Sequence, residues 1–175
     1  MIITISGKPG SGKTTLAENL VKKLKYKRYS PGKIRRQIAT KQGISIEELN
    51  KKDNIKSTTD EIVDKKIKEL ANSDNLIVDG RVGYFFIPNS LKVFVDADLK
   101  VIAKRLLNDS SRLAEPIKSE EQAYNDLVKR CDDDQERFKK IYNTDIYDLK
   151  NFDLVIDSTS LNQDQILDLV LKKIK

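Results

Sequence analysis

The sequence predicts a three-layer α/β domain built around a parallel sheet. Apolar runs of strand length alternate with helix-period runs along the whole chain. Two of those strands, Leu76-Ile77-Val78-Asp79 and Leu91 to Val95, stop at Gly80-Arg81 and at Asp96-Ala97-Asp98, as strands do when a parallel sheet works at its carboxyl edge. Gly7-Lys8-Pro9-Gly10-Ser11-Gly12-Lys13-Thr14 fills G-x-x-x-x-G-K-[ST] between a strand and a helix, the order that motif needs. The length of 175 residues suits one domain with a buried core.

Residues 2 to 6 form the first strand, apolar enough to lie mid-sheet with both faces covered. The helix after Lys13 carries Leu16, Ala17, Leu20, Val21 and Leu24 on one face. A short strand near Lys27 to Tyr29 ends at Ser30-Pro31-Gly32, which opens a helix with Ile34, Ile38 and Ala39 inward. From Gly43 to Asn75 the chain is polar and mostly helical. Ser45 caps Ile46 to Leu49, and Thr59 or Asp60 caps a stretch with Ile62, Val63, Ile67, Leu70 and Ala71. Lys51 to Thr58, almost without apolar residues, is expected to be a loop or hinge. Val101, Ile102, Leu106 and Leu107 mark a further helix, and Asn108 to Ser119 an exposed flap. A long helix from about Glu120 to Tyr142 places Ala123, Leu127, Cys131, Phe138 and Tyr142 on one stripe. After a connector, Phe152 to Asp157 is the last strand, and a helix from about Gln163 closes the chain with Ile166, Leu167, Val170, Leu171 and Ile174 inward.

The glycine loop reads as a phosphate cradle. Glycines let the backbone turn its N–H groups inward, and the following helix points its positive end at the same spot. Lys13 is placed to reach the β- and γ-phosphates of a nucleotide, and the Thr14 hydroxyl to ligate Mg²⁺. A glycine turn without a ligand is the alternative.

Composition narrows the class. With 38% hydrophobic and 34% charged residues, the chain is a globular and heavily charged protein rather than a disordered one. Cys131 is the single cysteine and there is no histidine, so an internal disulfide and a cysteine-histidine zinc site are both excluded. No apolar run approaches the roughly 20 residues of a membrane span, and residues 1 to 15 lead into the loop without a signal-peptide pattern, so the expected location is the cytoplasm. The net charge of +6 lies in scattered lysine pairs, with no basic stripe interleaved with aromatics; nucleic acid is therefore not the expected partner.

Two arginines suggest where a second phosphate goes. Arg36 lies six residues beyond Ser30, and Arg81 follows a buried strand, so both stand on the sheet edge of the phosphate loop. For Arg36, composition alone favours a surface residue; for Arg81 its placement favours function. On the long helix Arg130, Asp134 and Arg137 share a face that borders the apolar stripe, either as a cleft wall or, the simpler reading of the spacing, as a salt-bridge ladder. Tyr84, Phe85 and Phe86 are read as core, with a wall for a base as the alternative.

Gly7 to Thr15, Ser30-Pro31-Gly32-Lys33-Ile34-Arg35-Arg36, Asp79-Gly80-Arg81, Lys129-Arg130 through Tyr142 with Asp145-Ile146, and Tyr147-Asp148-Leu149 with Phe152 to Ser158 resemble the cytidylate kinases, in particular their shorter archaeal-type branch. The resemblance covers nearly the whole chain. It implies a P-loop kinase fold, one domain over 1–175 with a five-stranded parallel sheet, a monophosphate-binding helical insert at about 30–73 and a lid at about 107–119. It further implies that Gly7, Lys8, Pro9, Gly10, Ser11, Gly12, Lys13, Thr14 and Thr15 hold ATP, and that Ser30, Arg36 and Arg81 bind the CMP side. Arg130 and Arg137 would face the acceptor, with Asp134 on its base or sugar. Arg105 and Arg112 would descend from the lid onto the transferring phosphoryl group. The chain departs from the family pattern at the aromatic stretch after Arg81 and around Asp109 to Pro116.

The implied reaction moves the γ-phosphoryl of ATP onto CMP or dCMP, with Lys13, Arg81, Arg105 and Arg137 as the catalytic cations and Thr14 and Asp79 serving Mg²⁺; for Asp79 a capping role in its turn is the alternative. The attacking oxygen is already anionic, so a chain without histidine can do this chemistry. The lid and insert would close over the substrates to keep water out. A monomer acting on small nucleotides is expected. The nearest rival is an adenylate or broad-specificity monophosphate kinase. From other classes come a nucleotide-dependent switch or partner ATPase and, weakest, an RNA-binding module.

Overall fold

The computed structural model describes residues 1–55, 58–108, 117 and 119–174. Its strands are β1 (Ile2–Gly7), β2 (Lys27–Tyr29), β3 (Leu76–Asp79), β4 (Leu91–Asp96) and β5 (Leu154–Asp157). They form one sheet in the order β2-β3-β1-β4-β5, with parallel pairing of β1 and β2 on β3 and of β4 on β5. Helices α1 (Lys13–Leu24), α2 (Pro31–Lys41), α3 (Ile46–Ile55), α4 (Thr58–Leu70), α5 (Gly83–Phe86), α6 (Leu99–Leu107), α7 (Glu120–Tyr142) and α8 (Gln163–Ile174) surround it. This is the three-layer α/β class that the alternation of strand and helix runs predicts. Among the described residues no helix is long and apolar enough to cross a membrane.

The chain divides into two compact units, residues 1–6 with 17–92, and residues 7–16 with 93–175. In the first, β3 is buried along its whole length, which explains its unbroken apolar run. Ile2, Val63, Ile67, Leu76, Val78 and Ile87 make the core here, flanked by Tyr29, Ile34, Leu70, Ala71 and Phe86. The Tyr29 hydroxyl is pushed up to about 12 by burial, with Asp64 and Glu69 adding to the effect. Helix α2 starts on Pro31, whose missing N–H costs nothing in a first turn, and ends at Gly43 with φ +66°. Helix α3 opens on a reciprocal capping box: the Glu48 N–H donates to Ser45 Oγ at 3.1 Å and the Ser45 N–H to Glu48 Oε2 at 2.8 Å. Those two bonds hold the Glu48 carboxyl below its ordinary value.

The expected loop at 51–58 is instead largely helix. Helix α3 runs to Ile55 and α4 begins at Thr58, with residues 56 and 57 outside the described residues. The turns hold without an apolar stripe because Asp53 is buried, accepts from the Thr59 N–H at 3.2 Å and pairs with Arg35 Nη2 at 2.9 Å. Tertiary ion pairing replaces the periodic signal. The aromatic stretch forms α5: Tyr84 is buried, Phe86 packs on the core under the Lys68 ammonium, and Phe85 is 45% exposed. Core packing accounts for two of the three rings.

In the second unit, α6 is capped by Asp98, which accepts from the Lys100 and Val101 N–H groups at 2.8 and 3.3 Å. Its Ile102 packs with Ala97 and with Leu127 and Cys131 of α7. Helix α7 begins at the Ser119 cap and ends with Asn143 left-handed at φ +51°, a conformation asparagine tolerates. Phe94 of β4 is buried against Phe152, 4.8 Å between ring centroids. Strand β5 starts two residues later than expected, because Leu149–Asn151 form a 3₁₀ turn before it. The flap read from Asn108 to Ser119, with Arg112, lies for the most part outside the described residues.

Candidate active site

The phosphate loop follows β1 and turns on three glycines with positive φ: Gly7 at +141°, Gly10 at +75° and Gly12 at +98°. Packing makes two of them obligatory. A Cβ on Gly7 would lie 2.0 Å from the Val95 carbonyl oxygen, and one on Gly10 would lie 2.5 Å from Ile102 Cγ2. The loop is thus pressed onto β4 and α6, where no side chain has room. The Ser11 N–H donates to the Lys8 carbonyl at 3.3 Å, and the Leu16 N–H to the Gly12 carbonyl at 3.0 Å, which starts α1. Pro9 and Ser11 are buried, while Gly12, Lys13, Thr14 and Thr15 are partly exposed on the loop and the first turn of α1. The Lys13 ammonium donates to the Lys8 carbonyl. Ser11 Oγ is buried without a hydrogen-bond partner among the described residues. A concave backbone with a lysine folded across it is a cradle for a polyanion.

Two tethers hold the loop to the strand ends of the same unit. The Lys8 ammonium sits 2.8 Å from Asp96 Oδ1. Ser158 Oγ donates to the Ser11 carbonyl at 3.1 Å. Arg105 braces the second tether, donating from Nη2 to the Ser158 carbonyl at 2.6 Å and the Thr159 carbonyl at 3.3 Å. Its Nη1 also donates to Ser158 Oγ at 3.3 Å. Asp157 accepts from the Thr159 N–H at 2.9 Å and from Thr159 Oγ1. These bonds, with Arg105 and Lys8 nearby, hold its carboxyl below the ordinary value. On α7 the three residues that spacing joins differ in burial. Arg130 is exposed and Asp134 half-buried, whereas Arg137 is buried with its guanidinium 5.1 Å from the centre of the Phe138 ring.

The first unit gathers the other candidates. Gly80 lies against the start of α2, where a Cβ would meet Pro31 at 3.2 Å, so the Asp79-Gly80-Arg81 turn and Ser30-Pro31 are neighbours. Arg36 folds back along α2, its Nη1 3.5 Å from where a Cβ on Gly32 would be. Ser6 Oγ donates to the Gly80 and Arg81 carbonyls at 3.0 and 3.2 Å and fixes the turn to β1. The Asp79-Gly80-Arg81 turn thus lies against the N-terminus of α2, along which the Arg36 guanidinium lies, and such a positive helix end suits a phosphate.

Asp79 is gripped by Arg28, with Nη2 2.8 Å from Oδ2 and Nε 3.3 Å from Oδ1. Burial works against the Arg28 charge, and the bonds to Asp79 outweigh it, so the guanidinium titrates above its ordinary value. Among the described residues no three acidic, cysteine or histidine side chains converge to hold a metal. Taken separately, the Thr14 hydroxyl and the Asp79 carboxylate are hard oxygens of the kind magnesium takes. Sequence reasoning did not single out Arg28, the partner of Asp79. A three-residue strand offers too little alternation to say which way its side chains point.

This chain is similar to known proteins. The cytidylate kinase-like family matches residues 2–160. A cytidylate kinase of Saccharolobus islandicus, strain L.S.2.15, is 40% identical over 174 residues, covering 98% of this chain and 89% of that protein. A cytidylate kinase of Archaeoglobus fulgidus is 33% identical over 177 residues, covering 100% of this chain and 95% of that protein. Among solved structures, an uncharacterized protein from Eubacterium ventriosum superposes with a TM-score of 0.74 at 20% identity, over 99% of this chain and 98% of that one. Shikimate kinase from Bacteroides thetaiotaomicron does so at 0.67 and 14% identity, again over 99% and 98%. At those identities the likeness is one of fold.

Proposed function

The chain belongs to the cytidylate kinase-like family, and from that membership we propose how its residues divide the work of the reaction. The enzyme is an ATP-dependent phosphotransferase, a nucleoside monophosphate kinase that phosphorylates CMP. We extend the acceptor to dCMP. The observation that carries the reading is the glycine cradle with Lys13 folded across it, which needs only a triphosphate to take the lysine from the Lys8 carbonyl.

An oxygen of the CMP phosphate attacks the γ-phosphorus of ATP, the bond to the β-γ bridging oxygen breaks, and ADP leaves. Loop N–H groups and Lys13 hold the triphosphate, and Ser30, Arg36 and Arg81 hold the acceptor phosphate. Arg130, Asp134 and Arg137 serve the acceptor from α7, with Arg137 held rigid by its burial. Arg105 serves the nucleotide side from the loop it braces. Magnesium, when bound, screens the phosphate charge, with Thr14 and Asp79 as the donors this chain offers. No residue has to remove a proton, because the attacking oxygen is anionic at neutral pH. A monomer working in the cytoplasm on small nucleotides completes the reading.

A coupled assay of ADP formation, with ATP and Mg²⁺ against CMP, dCMP, UMP, AMP, GMP and dTMP in turn, tests it. CMP or dCMP is expected to exceed the others by about tenfold or more, since a polar base site rejects a mismatched hydrogen-bond pattern. Equal or greater activity on AMP would move the chain to a broad-specificity or adenylate kinase. Inactivity on all of them would favour a nucleotide-dependent switch. Within this scheme Arg81→Ala is expected to raise the KM for CMP and lower kcat, about 2–4 kcal/mol in transition-state terms. Unchanged kinetics would remove Arg81 from the site.

A further inference from the structure

We propose that Asp96 is a charge-masking residue of the phosphate loop, which holds the Lys8 ammonium off the bound nucleotide so that the loop presents Lys13 alone to the phosphates. Lys8 occupies the second position of the loop, yet its side chain is turned to the end of β4, 2.8 Å from Asp96 Oδ1 and 3.2 Å from Oδ2. Its backbone does the opposite work, since the Lys8 carbonyl accepts the Lys13 ammonium and the Ser11 N–H inside the loop. Asp96 is preset for its part. Its Oδ1 accepts from the Ala97 N–H at 2.8 Å, and its carbonyl accepts from the Ser158 N–H at 2.8 Å. The pair is not buried, with side chains 26% and 28% exposed, so a bound polyphosphate and solvent salt can both act on it.

The electrostatic surroundings explain why both charges are needed. Asp96 is in register with Asp157 on the neighbouring parallel strand, so the two carboxylates end adjacent strands on one side of the sheet. Without Lys8, that pair would keep only Arg105, near Asp157, as its positive partner beside a loop that must accept a polyanion. Without Asp96, Lys8 would be a second loop lysine free to grip the phosphates and slow the departure of ADP. Removing either partner of a purely structural brace would weaken binding; removing the partners of a mask shifts binding in opposite directions.

The inference rests on the phosphate loop being the ATP site, and the experiment separates the two. ADP dissociation constants by calorimetry and KM for ATP at saturating CMP are measured for the wild type, Asp96→Asn, Lys8→Met and the double variant, each at low and high salt. Asp96→Asn is expected to tighten ADP about threefold, and Lys8→Met to weaken ADP and raise the KM for ATP about threefold, with both effects shrinking at high salt. The double variant returns to within about twofold of the wild type. Lys8→Gln replaces Lys8→Met if the latter does not fold. Two single variants that both weaken ADP would overturn the mask and leave a brace. A wild type that binds ADP and phosphorylates no monophosphate would overturn the kinase reading while the ADP measurements still decide the mask. A wild type that binds no ADP would overturn both.

Discussion

Gly7→Ala is expected to abolish ADP binding and to lower the stability of the fold by more than about 4 kcal/mol, the range reached when a new side chain has nowhere to go. Backbone conformation supplies part of that cost, since φ at Gly7 is +141°, where an L side chain is strained. Packing supplies the larger part. The added Cβ would lie 2.0 Å from the Val95 oxygen, 2.9 Å from the Val95 carbonyl carbon and 3.0 Å from the Val95 nitrogen, all backbone atoms of a central strand. A strand bonded on both sides cannot give way as a flexible side chain could. Gly43 is the control: it also has positive φ, +66°, but its Cβ would meet nothing within 4 Å. Gly43→Ala should therefore cost only conformational strain, about 1–2 kcal/mol. Urea unfolding of both variants, with calorimetry of ADP, checks the contrast. A Gly7→Ala protein that folds and binds as the wild type would mean that the loop does not lean on β4.

Arg35→Ala is expected to destabilise the protein by about 3–5 kcal/mol, although Arg35 is not among the residues proposed to touch substrate. Its Nη1 lies 2.6 Å from Asp60 Oδ1, and its Nη2 lies 2.7 Å from Asn50 Oδ1 and 2.9 Å from Asp53 Oδ2. One guanidinium thus ties α2 to α3 and α4. Asp53 and Asp60 are only 3% and 4% exposed, so alanine would leave two like charges buried without their counterion. The triple change Arg35→Met, Asp53→Asn, Asp60→Asn is expected to recover most of the loss, since the cost comes from the stranded charges. Denaturant midpoints measure this. The kcat/KM for CMP should fall with Arg35→Ala as well, because Arg36 follows directly on α2 and depends on the same helix for its position. A midpoint unchanged from the wild type would remove Arg35 from the framework of these helices.

Residues 30–36 show how far the sequence could be read. Ser30, the helix start at Pro31 and the pairing of Arg36 with Arg81 as a phosphate grip follow from turn chemistry, strand endings and the fork of arginine. In the structure the Asp79-Gly80-Arg81 turn lies against Pro31, and the Arg36 guanidinium lies near Gly32. Nothing in the order of residues tells Arg35 from Arg36, yet one is locked among buried carboxylates and the other lies along the helix surface. Similarly, spacing unites Arg130, Asp134 and Arg137, while burial divides them, and a stretch from Lys51 to Thr58 without apolar residues holds helical turns through Asp53.

By itself the sequence determined what local rules encode: the parallel α/β class, strand-loop-helix at the phosphate cradle, the need for glycine in it, and a chemistry served by lysine and arginine without histidine. Tertiary structure alone decided the charge partners. Lys8 meets Asp96 across 88 residues, Arg28 meets Asp79 across 51, and Arg35 meets Asp60 across 25. Periodicity and turn propensity act over a few residues, whereas an ion pair depends on which strand ends and helix faces the topology makes neighbours.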